Sequence, residues 1–129
     1  MSFISDFKNI IESDTSLNTL ITGDIKFDHL PEDWDITKNW LAWNYRISEQ
    51  IDTLAENNNF SRYSIAITVT SIDSVVMNNI CNVLKNYLNT KQTDKFIDIR
   101  FLSESKITTL SRTSNAYQDS LEFEAIYVE

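Results

Sequence analysis

Phe3, Phe7, Ile10 and Ile11 fall at the i, i+4, i+7, i+8 spacing that lays one apolar stripe along a helix. Ser2 stands where an N-cap belongs. A second short helical turn is expected at TSLNTLI, capped by Thr15 or Ser16, with Leu17, Leu20 and Ile21 inward. Gly23 follows at the place where a helix end favours a residue that tolerates positive φ. The period then changes from helical to two. Ile25 and Phe27 alternate with polar neighbours in DIKF, and Pro31 forbids continuation as a central strand. NWLAWNYRI puts Leu41, Trp43, Tyr45 and Ile47 on one face, and RYSIAITVTS does the same with Tyr63, Ile65, Ile67 and Val69. Between them SEQIDTLAENNNFS reads as the far end of a long hairpin, with Asn57, Asn58 and Asn59 at its turn.

The clearest helix comes next. Ser71 or Asp73 caps it, and Val76, Ile80, Val83, Leu84 and Tyr87 carry its stripe for about three turns. KFIDIRFLS is expected to be a strand with Ile97, Ile99 and Phe101 inward. SLEFEAIYV alternates Leu121, Phe123, Ala125 and Tyr127 against Glu122 and Glu124. The intervening SKITTLSRTSNAYQ is polar and reads as an exposed loop. Strands with one apolar and one polar face predict an α/β (α+β) architecture. Its sheet is largely antiparallel or mixed, with two to three helices packed on one face. Residues 1–129 are read as one domain, since no linker, repeat or low-complexity tract divides them.

Composition narrows the function. A formal charge of −8, from 19 acidic and 11 basic residues, repels phosphate backbones and anionic lipid. Sequence-independent nucleic-acid binding is therefore not expected. No apolar run approaches the roughly 20 residues that cross a bilayer. The start MSFISDFKNIIESD lacks a basic opening and a continuous apolar stretch, so the chain is read as mature and cytoplasmic. The single cysteine, Cys81, excludes an internal disulfide and lies near the apolar stripe of the best helix, as a packed thiol.

No pattern of residues specifies a reaction. His29 lies among Asp24, Asp28, Glu32, Asp33 and Asp35, but without EF-hand spacing or a second histidine it reads as part of a solvated acidic loop. TVTSIDSVVMNN runs from strand to helix without a glycine, so it is no phosphate loop. Glu122 and Glu124 share one face of one strand, which suits a solvated or subunit-facing surface rather than a glycosidase pair. No catalytic, cofactor or metal residues are assigned, and the chain is not expected to be an enzyme. Of the tryptophans, Trp43 belongs to the apolar face, Trp40 to the opposite face and Trp34 to the acidic loop. Trp34 and Trp40 are candidates either for a protein interface or for partial burial under local loops.

The order of elements resembles the tail-terminator, or tail-completion, proteins of tailed bacteriophages. The likeness rests on SLNTLITGDI, the Leu30–Pro31 step, the strands WLAWNYRI and YSIAITVTS, the helix ending VLKNYLN and the last strand LEFEAIYV. It implies a small protomer assembling into a ring, often sixfold, that ends the tail tube and joins it to the head connector. DNA would pass through the lumen, and no cofactor or membrane would be involved. Partners would then be other copies of the chain, the tail-tube protein and the connector, with the virion neck as location. The interface residues expected on this basis are Trp34, Trp40, Ile51, Leu54, Phe60, Glu122 and Glu124. The hairpin from Ile47 to Arg62 is expected to reach beyond the core and touch a neighbouring subunit or the tube, because its three apolar residues cannot make a local core. The competing reading is a monomeric acidic binding protein, such as an immunity protein or antitoxin that neutralises a basic partner.

Overall fold

The computed structural model describes residues 2–30, 34–35, 37–52, 59–107 and 116–128. Its elements run α1 (Phe3–Glu12), α2 (Thr15–Leu20), β1 (Ile25–Phe27), β2 (Trp40–Asp52), β3 (Asn59–Ser71), α3 (Ser74–Leu88), β4 (Phe96–Ile107) and β5 (Tyr117–Val128). The five strands form one sheet in the order β1-β2-β3-β5-β4. β1 lies parallel to β2, and every other pairing is antiparallel. The expected mixed sheet with helices on one face is what forms. α1 caps itself with a box between Ser2 and Ser5 and buries Phe3, Phe7, Ile10 and Ile11, the four residues its spacing selects.

The core lies between the helices and the odd-numbered positions of β2, β3 and β5. Leu41, Trp43, Ile65, Ile67, Leu121 and Phe123 are fully buried there, together with Ile80 and Leu84 of α3. Phe3 and Phe7 of α1 meet the rings of Trp43, Tyr45, Tyr63, Phe96 and Tyr127 beneath the helix. Phe3 stacks on Tyr63 at 3.8 Å between centroids and meets Tyr127 edge-on at 5.2 Å. Phe7 lies 4.9 Å from Trp43. The Tyr127 hydroxyl hydrogen-bonds the Asp6 carboxylate, and the Tyr87 hydroxyl donates to the Ile10 carbonyl at 2.9 Å, tying α3 to α1.

Several details depart from the sequence reading. The α2 cap is Asp14, whose carboxylate accepts from the Leu17 N–H at 3.1 Å; a carboxylate one residue earlier reaches the free amides that a Thr15 or Ser16 cap would have covered. Gly23 has no positive φ. It is needed for space, because a Cβ there would sit 2.5 Å from Cδ2 of the Trp40 ring. The left-handed positions are Asp28 and Thr90 instead. On α3 the buried stripe is Met77, Ile80, Cys81, Leu84 and Leu88, while Val76, Val83 and Tyr87 are only half-buried; the helix is rotated toward Met77 and Cys81.

Edge strand β4 carries two register shifts, between Phe96 and Asp98 and between Phe101 and Ser103. Each makes one residue extra, so Ile97 turns outward at 43% exposure and Leu102 at 53%, and the expected inward Ile97 is replaced by Phe96. Ile47 pairs with the inward Tyr63 and so keeps the expected face, but it is 51% exposed there; the register shift follows it, at Ser48. The polar stretch 105–118 is shorter as a connection than expected, since β4 continues to Ile107 and β5 starts at Tyr117. The distal hairpin is also less isolated than expected. β5 runs beside β3 until Val128 pairs with Phe60. Asn59, expected in the hairpin turn, is instead the first residue of β3 and pairs with Asp52. The rest of the expected turn, Asn57 and Asn58, lies outside the described residues with Leu54, as do Pro31, Glu32 and Asp33.

Candidate functional site

Two regions concentrate polar side chains. The first is buried beneath α3. Asp119, in the first turn of alternation of β5, shares the inward face with Leu121 and Phe123 and is fully buried. The second β4 register shift brings Glu104 opposite Leu121, on the same face. Cys81 approaches from α3, and its Sγ donates to Asp119 Oδ2 at 3.3 Å. One ligand-type atom from each of Cys81, Glu104 and Asp119 lies within 4.8 Å of the others. Lys85 Nζ donates to Glu104 Oε1 at 2.9 Å, and Lys106 Nζ lies 3.9 Å from Glu104 Oε2 while donating to Asn78 Oδ1.

The electrostatics follow from that crowding. Burial, and then the neighbouring Glu104, push the Asp119 carboxyl up to about 6. Its hydrogen bond with Asp119, aided by Lys85, holds Glu104 below the usual carboxylate range. Burial and the Asp119 carboxylate push the Cys81 thiol up, so it is a packed, protonated thiol and no nucleophile. Asp119 Oδ1 accepts from no donor among the described residues. The sequence reading missed this cluster. Its one signal was Asp119 at the parity of Leu121, Phe123 and Ala125; Glu104 reaches the core face only through a bulge that periodicity does not encode.

The second region is the sheet face without helices. In register across it run Arg46, Ser64, Glu124 and Arg100. Arg100 Nε donates to Asp98 Oδ2 at 2.6 Å, and Arg62 Nε lies 3.7 Å from Glu124 Oε1. Three of the chain's four arginines therefore share this face with Asp98, Glu122 and Glu124.

The expected interface residues are scattered rather than gathered. Trp40 packs its ring over Gly23 and donates from Nε1 to the Asp35 carbonyl at 2.8 Å; it is half-buried, as is Trp34. Ile51 pairs with Phe60 at the opposite end of the β2–β3 ribbon. Trp40 and Ile51 are eleven positions apart along the strand, which at about 3.3 Å per residue is more than 30 Å. Glu122 and Glu124 sit midway on β5, on the open face. Leu54 lies outside the described residues. His29 is exposed, with Nδ1 3.2 Å from Asp28 Oδ2.

This geometry defines a five-stranded mixed sheet with one helix-covered face and one polar, arginine-bearing face. The same fold occurs in a solved chain from the "Virion of native gene transfer agent (GTA) particle", with a TM-score of 0.66 over 95% of this chain and 91% of that one. The two are 12% identical, so the likeness is one of fold. No protein-family model and no curated protein matches the sequence.

Proposed function

We propose that this chain is a structural protein of a phage-like virion, and that it assembles as a ring that ends the tail tube and joins it to the head connector. The observation that carries this reading is the extent of the fold match. It spans nearly the whole of both chains, so it involves the complete architecture rather than a common supersecondary motif. The order of elements in the sequence points the same way. In such a ring the formal charge of −8 suits a lumen that lets the duplex slide without gripping its phosphates.

The two ends of the β2–β3 ribbon suit different neighbours. Trp34 and Trp40 would meet one axial partner, and Ile51, Leu54 and Phe60 the other, with tube protein and connector as the pair. Glu122 and Glu124 would face the adjacent copy, across the face that also carries Arg46 and Arg100. Edge-to-edge strand pairing is disfavoured at β4, where two bulges interrupt the ladder, so lateral contact there would be through side chains such as Ile97 and Leu102.

Light scattering on the purified chain, alone and after addition of its tail-tube protein, tests this reading. A closed oligomer in either sample supports it. A monomer under both conditions, captured instead by a basic partner, supports the acidic-inhibitor alternative and overturns the ring.

A further inference from the structure

We propose that Cys81, Glu104 and Asp119 form a site for one thiophilic divalent cation, Zn²⁺ by preference, that ties α3 to β4 and β5. This is independent of the ring. The three ligand atoms already lie within 4.8 Å of one another. A tetrahedral zinc with bonds of about 2.3 Å to sulfur and 2.1 Å to oxygen holds those atoms about 3.6 Å apart. The Cys81 Sγ to Asp119 Oδ2 separation, 3.3 Å, is close to that already. Asp119 supplies the second, separate observation. It is fully buried, and its Oδ1 accepts from no donor among the described residues. A buried carboxylate oxygen of this kind is costly unless a proton or a cation sits between it and Glu104.

Access and selectivity also fit. Glu104 is 18% exposed and opens the cluster to solvent; Lys85 engages Oε1 at 2.9 Å, and Lys106 stands off at 3.9 Å from Oε2, the oxygen that would turn to the ion. One sulfur and two carboxylates favour zinc over magnesium or calcium, which take oxygen alone. Three protein ligands leave the fourth position to water. On binding, the Cys81 thiol releases its proton to solvent and bonds the metal as thiolate; nothing is oxidised or reduced.

The test uses Co²⁺ as a spectroscopic probe on the full chain freed of metal by a chelator, followed by Zn²⁺ competition. The expected result is one Co²⁺ per chain with a thiolate charge-transfer band, abolished by Cys81→Ser and displaced by Zn²⁺. Zn²⁺ should raise the melting temperature where equal Mg²⁺ does not. Glu104→Gln, at a partly exposed position and checked for folding by circular dichroism, should weaken Zn²⁺ binding by at least about tenfold. No charge-transfer band in the wild type, a band that survives Cys81→Ser, or equal effects of Zn²⁺ and Mg²⁺ would overturn the site.

Discussion

The two ends of the helix-covered face solve the same packing problem in opposite ways. Under α1, rings of Phe3, Phe7, Trp43, Tyr63, Phe96 and Tyr127 interlock, and the polar tips of Tyr127 and Tyr87 find Asp6 and the Ile10 carbonyl. Every buried polar atom named there has a partner. Under α3 the same sheet face carries two carboxyl groups beneath the Cys81 thiol of the helix, with one buried oxygen left without a donor among the described residues. An aromatic cluster adds stability through area and ring geometry. A crowded acid pair subtracts from it unless a proton or cation sits between the carboxylates. The contrast sets an end whose core is apolar and whose polar tips are partnered against one that buries an acid pair within an otherwise apolar core.

Phe7→Ala should be the most damaging change, because Phe7 is fully buried and touches both Trp43 and Phe96. A loss of roughly 3–5 kcal/mol is expected from chemical denaturation. Ile80→Ala, under α3, should cost roughly 2–5 kcal/mol. If the α3 end is the looser of the two, its value falls in the lower half of that range. Equal losses at both sites would erase the comparison.

Asp119→Asn should act in the opposite direction. The folded state raises this carboxyl from an ordinary 3.8 to about 6, so the folded chain binds its proton more tightly than the unfolded chain. The stability that follows is present below pH 4 and is lost as pH rises through 6. In metal-free buffer the wild type should therefore lose stability between about pH 4 and 6 relative to Asp119→Asn, with a melting-temperature difference that widens across that window and levels off above it. A difference that does not change with pH would contradict the buried acid pair. The smallest expected effect is that of Tyr87→Phe, which removes the bond joining α3 to α1 at Ile10. A loss of about 1 kcal/mol is expected, read as faster amide exchange at the end of α1.

Where one element repeats one period, the sequence was sufficient. The stripe of α1 and the alternation of β3 and β5 specify their buried faces residue by residue. It failed where the chain breaks its own period. The bulges at Ile97 and Leu102 invert the parity of β4 twice, and the second inversion carries Glu104 into the core. Gly23 looked like a helix terminator because spacing does not show that the Trp40 ring would lie against it. The expected surface residues were identifiable only as types. Trp40 has the composition of an anchor and the geometry of a side chain half-covered by its own loop. The α3 cluster needed three elements to converge, and no local pattern announces a contact between positions 81, 104 and 119.

The central claim concerns the virion, and its most direct test is cryo-electron microscopy of particles from the strain that encodes this chain. The account predicts density for its five-stranded sheet and three helices, repeated around a closed ring at the head-proximal end of the tail, with the open sheet face against the adjacent copy. Virions with no such density, together with a soluble complex between a single copy of the chain and a basic partner, would contradict it.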